Sequence, residues 1–302
     1  MKKLVTCVTL LFGSLFGHVV DETDFFRTSG EVSTKFERWE SINFTETALK
    51  MGAKHTGENM WADLGVKFNI VNGSLHNDML YNHYATGVHL ERALLGYQIY
   101  SNNNTELFAE AGRAKLDTIF NSKVQYHSNL NGLHASAIYN GLRIHGAVNS
   151  VDVIDKKYGA ILEASYSNFW SIPATLYYSF THWSSLYDAN ISQVTVEYEL
   201  PRIMGKRAQA YAAGLYNHSM DDDNLGMYAG MSLGTDSQAK DWLVDVCVQH
   251  LDNTCVPGFD NNSNFSKVMV KGSYNLTNEL SIKAKVGFVD LKRLEIGCEY
   301  KW

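Results

Sequence analysis

The last nine residues, Leu294–Trp302 (LEIGCEYKW), constrain the fold most tightly. Leu294, Ile296, Cys298, Tyr300 and Trp302 recur at a period of two, and Arg293, Glu295, Glu299 and Lys301 alternate with them. Successive side chains of a strand point to opposite faces, so this segment has one oily face and one charged face. Its backbone edges must also pair with other strands, because unpaired N–H and C=O groups are costly away from water.

The same alternation returns along most of the chain. Leu64, Val66, Phe68 and Ile70 form one apolar set, and Ala93, Leu95, Tyr97 and Ile99 another. From Tyr158 onward the pattern is regular, with Ala160/Leu162/Ala164, Leu176/Tyr178/Phe180, Val194/Val196/Tyr198, Met227/Ala229/Met231 and Val244/Val246/Val248. Asn72-Gly73, Asn131-Gly132 and Asn140-Gly141 are expected to be hairpin turns, since both residues tolerate positive φ. The pattern is weakest before Gly57, where residues 33–44 (STKFERWESINF) are the expected first strand. No helical period of useful length competes, and proline, which cannot donate to a ladder, occurs only 3 times.

The segments number about seventeen, whereas closed single-chain barrels have an even count. Sixteen is the expected number, with fourteen and eighteen as neighbours and the surplus segment in 76–84 or 121–130. Residues 114–120 (AKLDTIF) are the least strand-like part of the middle and are expected as a turn or an inward-folded loop.

Only the N-terminus holds a continuous apolar run. Lys2 and Lys3 precede LVTCVTLLFGSLFG, and acidic residues begin at Asp21, so residues 1–20 are expected to be a cleaved signal peptide and 21–302 the barrel. Removing the leader takes two lysines and no acid, so the formal charge of −6 becomes −8. No later segment reaches the roughly 18 apolar residues of a membrane helix, which leaves barrels open because only half of each strand need be oily. Cys247, Cys255 and Cys298 are too few for a disulfide scaffold; Cys247 and Cys255 are placed to bridge a hairpin or to stay as free thiols.

Loop lengths set an orientation. If the last strand ends on the inner side, residues 275–279 and 234–241 turn there, and the longer 251–264 and 217–224 lie outside with 289–292. Trp170, Tyr198, Trp242, Tyr274 and Trp302 then fall at inner strand ends, and Trp183, Tyr216 and Phe288 at outer ones, as interface girdles.

With the apolar set facing lipid, the other set faces a lumen. It carries both signs of charge in numbers that no dry core holds, because unpaired buried charge is expensive. A water-filled interior follows, lined by Arg143, Arg207, Lys271, Lys283, Lys285, Arg293, Glu295 and Glu299 among others. A turn centred near Thr277 puts Lys271 opposite Lys283, and one near Leu291 puts Glu299 beside Lys283. Lys271, Lys283, Lys285 and Arg293 thus form either a basic strip favouring small anions or a salt-bridged wall with Glu295 and Glu299.

Signals for catalysis, metals and cofactors are poor. His182 with Ser184 and Ser185 is the one Ser/His grouping, without a third partner, and Asp221–Asp223 with Asn224 lacks the spacing of a calcium loop. No cofactor, catalytic residue or nucleic-acid patch is expected.

Taken together, the leader, the amphipathic strands, the strand-end aromatics and LEIGCEYKW resemble Gram-negative outer-membrane β-barrels of the porin type over about residues 25–302. The stretch ELFAEAGRAKLDTIFNSKVQYHSNLNG is loosely similar to putative-porin and alginate-export-like barrels. The resemblance implies an outer-membrane location and passive diffusion of small hydrophilic solutes. It also implies contact with outer-membrane lipid, recognition of the C-terminal strand by barrel-assembly machinery, and often a homotrimer. Leu294, Ile296, Tyr300 and Trp302 would be the barrel-closing face. The chain departs from the pattern by ending in Trp rather than the commoner Phe. A lipid-modifying hydrolase working through His182, and a surface adhesin or structural barrel working through its outer loops, are the alternatives.

Overall fold

The computed structural model describes residues 26–39, 42–74, 86–115, 129–151, 157–167, 172–184, 189–252, 255, 268–288 and 293–302. The expected leader lies outside them. Sixteen antiparallel strands close into one barrel in chain order, with β1 paired to β16. They are β1 Phe26–Trp39, β2 Ile42–Thr56, β3 Met60–Ser74, β4 Gly87–Ser101, β5 Thr105–Lys115, β6 Asn129–Tyr139, β7 Leu142–Val151 and β8 Lys157–Ser167. The second half comprises β9 Ala174–Trp183, β10 Ala189–Ile203, β11 Lys206–Asn217, β12 Leu225–Gly234, β13 Trp242–Leu251, β14 Val268–Asn275, β15 Leu280–Phe288 and β16 Arg293–Lys301.

The regularly alternating apolar sets face outward. Leu64, Val88, Leu133, Val148, Leu162, Met227 and Val248 are each more than half exposed there, and Val194, Ile282 and Ile296 nearly so. A girdle of large exposed apolar side chains far exceeds the isolated patches of a water-soluble surface. Conversely, Glu37, Glu46, Asn69, His134, Glu163, Gln193 and Asp245 are buried on the inside.

The two rims differ. At the rim holding Phe26 and Trp302 the connections are short: 57–59, 102–104, 140–141, 204–205, 235–241 and 276–279. The strand pairs separated by the most residues in sequence, β3–β4, β5–β6 and β13–β14, have their successive ends at the opposite rim. Asn140 (φ 46°) and Gly141 (φ 84°) form the expected turn, and Met204 (φ 52°) with Gly205 (φ 75°) forms another of the same kind that no Asn-Gly pair announces.

Several details differ from expectation. Residues 33–44 are not one strand: β1 ends at Trp39 and β2 begins at Ile42. Their outward faces carry Thr28, Thr34, Thr45 and Thr47, which blurs the oily pattern. Asn72-Gly73 lies inside β3 and Asn131-Gly132 inside β6, because neighbours pair with both strands through those positions. Arg113 Nη1 donates to Asn131 Oδ1 at 2.9 Å, so that side chain belongs to the wall. Of the surplus candidates, 76–84 and 121–128 lie outside the described residues, while 129–130 begin β6; of the expected turn 114–120, Ala114 and Lys115 end β5 and 116–120 lie outside, as does Trp170.

The 235–241 turn is built around Asp241. Its Oδ2 accepts from Thr235 Oγ1 (2.9 Å) and Gln238 N (3.2 Å), and Asn275 Nδ2 pins the turn through the carbonyls of Asp236 (2.8 Å) and Gln238 (3.1 Å). The Thr235 hydroxyl, helped by Lys206, holds this carboxyl below its ordinary 3.8. A lowered folded value means that the turn's added stability is full above the usual carboxylate range and is lost as pH falls through the lowered value. The Gln238 amide is therefore expected to keep its exchange protection near pH 5 and to lose it at pH below 3.8, while D241A is unprotected throughout. Equal protection in both proteins at pH 5 would refute this.

Candidate functional site

The inner wall is the candidate site, and β16, β1, β2 and β3 build its most charged arc. Alternation sends Glu31, Lys35 and Glu37 of β1 and Glu46 and Lys50 of β2 inward, beside Lys67 of β3. They pair almost completely. Lys50 Nζ meets Glu31 Oε1 at 2.6 Å, Glu46 takes Lys67 and, at 3.6 Å, Lys35, and Glu37 takes Lys35 at 3.0 Å together with Arg293. Farther round, Arg92 meets Asp63 at 3.1 Å. Glu110 joins His134 Nδ1 (3.0 Å) and accepts from Trp61 Nε1 (2.6 Å). Such a wall lowers the desolvation cost of inward charge by mutual compensation.

All eight lining residues expected from the sequence face inward, but they do not form one strip. The β14–β15 register is Lys271↔Lys285 and Ser273↔Lys283, not Lys271 opposite Lys283. The β15–β16 register is Lys285↔Glu295 and Lys283↔Gly297, yet Lys283 Nζ still reaches Glu299 Oε1 diagonally at 2.9 Å. Lys301 also holds Glu299, at 2.5 Å, and Arg293 holds Glu295 at 3.3 Å. Arg207 pairs with Glu199 at the short-turn rim, and Arg143 sits near that rim on β7, both on wall segments remote from β14–β16.

The seam is the β1–β16 ladder. Tyr300 pairs with Val32, Ile296 with Phe36 and Leu294 with Arg38. Trp302 N donates to Gly30 O (3.0 Å) and Gly30 N to Trp302 O (3.1 Å), and the Trp302 indole stacks on Tyr300 at 6.1 Å. It lies over Gly30, where a Cβ would fall 1.9 Å from the ring.

The sequence reading missed Glu31, Lys35, Glu37, Glu46 and Lys50. Their period-two spacing is present, but the threonine-rich outward set gave it no oily counterpart. It also expected a water-filled, charge-lined interior. Ile161, Trp183, Ile191, Leu215 and Cys247 instead form a buried apolar patch on the inner faces of β8–β13 toward the long-loop rim. Trp183, expected in an outward girdle, is 2% exposed and belongs to this patch. Its odd number in β9, against the even outward set ending at Phe180, is the signal that locates it. This sector is closely packed and its buried polar groups, Glu163 and Asp245 apart, are uncharged, whereas the ion pairs concentrate in the charged arc.

His182 does not assemble a hydrolytic site with Ser184: its Nδ1 bonds Asn190 Oδ1 at 2.7 Å, and Ser185 lies outside the described residues. On the outward face Ser192 Oγ lies 2.8 Å from His218 Nε2, with Tyr216 edge-on to that ring at 4.8 Å. No carboxylate orients the imidazole among the described residues, so this pair reads as polar girdle. Nor does any group of three His, Cys, Asp or Glu side chains converge among them. Cys247 and Cys255 form no disulfide, and burial pushes the Cys255 thiol up to about 12, leaving it unreactive.

No family model matches the chain, and no curated protein matches it in sequence. Solved structures do match in fold. The high-pH structure of Pseudomonas putida OprB aligns with a TM-score of 0.64 at 9% identity, covering 92% of this chain and 94% of that one. Its low-pH structure gives 0.57 at 10% identity, covering 92% and 93%. A triple mutant of Rhodopseudomonas blastica porin gives 0.55 at 10% identity, covering 92% and 100%. The chain therefore has the fold of the porin barrels.

Proposed function

We propose that this chain is an outer-membrane channel of the porin type, passing small hydrophilic solutes and ions by passive diffusion. The observation that carries this reading is the inside-out barrel, oily on its outer face and lined inside by a compensated charged arc. Sixteen strands give a circumference wide enough for an aqueous path. The porin fold of its structural neighbours supports the same reading. In it, residues 1–20 direct export, lipid covers the outward girdle, assembly machinery reads Leu294–Trp302, and three copies associate. The solute path follows β14–β16 and β1–β5, since the inner patch around Trp183 is apolar and closely packed.

The test is a planar bilayer. Purified full-length protein is expected to give stepwise conductance in potassium chloride that is lowered by neutral sugars small enough to enter the pore and restored with ones too large to enter. A barrel that inserts but insulates would overturn the proposal.

A further inference from the structure

Within the charged arc, two lysines stand apart. Lys271 of β14 and Lys285 of β15 are directly opposite each other on the inner wall, and opposite Cβ atoms lie about 4.5–5.5 Å apart. The carboxylates beside them are committed elsewhere. Asp245 is the register partner of Lys271 on β13, but both its oxygens accept from the Tyr211 hydroxyl, at 2.9 and 3.1 Å. Glu295 is the register partner of Lys285 on β16, but it is held by Arg293, which also holds Glu37. Neither lysine has an ion pair or hydrogen bond among the described residues, whereas Lys35, Lys50, Lys67, Lys283 and Lys301 are all paired.

A like-charge pair directly opposite is unfavourable unless something screens it. A counter-ion that fits must meet two ammonium groups on flexible stems, each with several donors. An anion with at least two oxygen acceptors gives each ammonium an oxygen of its own, whereas a single halide would have to be shared between them.

We propose that Lys271 and Lys285 form a binding station for a small oxyanion, a phosphate or a carboxylate, on the lumen wall. The inference rests on the channel reading, and it narrows the basic strip to two residues: Lys283 is neutralised by Glu299 and takes no part.

The experiment uses inorganic phosphate as the probe at low ionic strength. In planar bilayers, millimolar phosphate is expected to reduce the chloride-carried current of the wild-type channel, and the block is expected to weaken about tenfold or more in K271Q/K285Q. K283Q is expected to change the block less than about twofold. Since neither lysine holds a partner, K271Q/K285Q is expected to fold with an unchanged or higher thermal midpoint. Equilibrium dialysis of labelled phosphate against detergent-solubilised protein gives a readout independent of conduction. A channel that conducts but is blocked equally in K271Q/K285Q overturns the station and leaves the channel reading standing. Loss of block in K283Q as large as in K271Q/K285Q overturns it as well. An insulating barrel that binds phosphate through the two lysines overturns the channel reading and leaves the station standing.

Discussion

Replacing Gly112 by alanine is expected to lower the unfolding free energy by about 3 kcal/mol, well beyond the usual effect of one methyl group. Gly112 lies within β5 at φ +131°, a region that L side chains rarely adopt, and an added Cβ would fall 1.9 Å from the Ala93 carbonyl oxygen. That oxygen is backbone, fixed by the β4–β5 ladder in which Leu94 pairs with Gly112, so no rotamer change relieves the contact. Gly132 lies opposite on β6, and the absence of a side chain on both strands allows the sheet to bend there. Gly214 is the control: nothing lies within 4 Å of its would-be Cβ. G214A is expected to be neutral or to stabilise by up to about 1 kcal/mol, through the lower entropy of its unfolded chain. Urea unfolding of both variants in phospholipid vesicles, followed by tryptophan fluorescence, decides the matter. Equal midpoints would show that the close approach at Gly112 is not what demands glycine.

The glycine result marks what the sequence exposes and what it hides. Strand identity from β8 onward is legible because oily and polar sets alternate through side chains as large as Leu162, Tyr178 and Met231. Sheet closure is legible in Leu294, Ile296, Tyr300 and Trp302 for the same reason. Register is not legible, because it depends on the turn. Leu276 N and Thr277 N both donate to Leu280 O at the β14–β15 connection, and that one geometric choice moves the partner of Lys271 from Lys283 to Lys285. Turn dipeptides mislead for a related reason. Asn131-Gly132 has the chemistry of a hairpin, but strands on both flanks supply a full ladder that outweighs a local preference. Charge alone places inward residues but not their partners. The sequence offered a basic strip and a salt-bridged wall as alternatives, and the geometry contains both: Lys283 and Arg293 belong to the wall, while Lys271 and Lys285 do not.

Glu37 shows how much of the barrel's stability depends on this compensation. It is completely buried on β1 beside the closing seam, and its carboxylate is shared by Lys35 on its own strand and Arg293 across the seam on β16. Removing one partner of a buried ion pair leaves the other charge desolvated and costs about 3–5 kcal/mol. Arg293 keeps Glu295 at 3.3 Å and Lys35 keeps Glu46 at 3.6 Å, which places E37A at the lower end, about 3 kcal/mol. E37Q retains an acceptor and fills the same volume, so its loss is expected to be smaller. Apolar replacement of a whole buried pair is often neutral, so E37M/R293L is expected to recover most of the lost stability. The same urea titration measures all three. A double variant no more stable than E37A would mean that Glu37 acts as a seam-specific hydrogen-bond acceptor, not as counter-charge. Recovery would instead establish that the β1–β16 seam is held by backbone pairing and Trp302 packing over Gly30, with the Glu37–Arg293 pair neutralising charge that the lumen wall would otherwise bury alone.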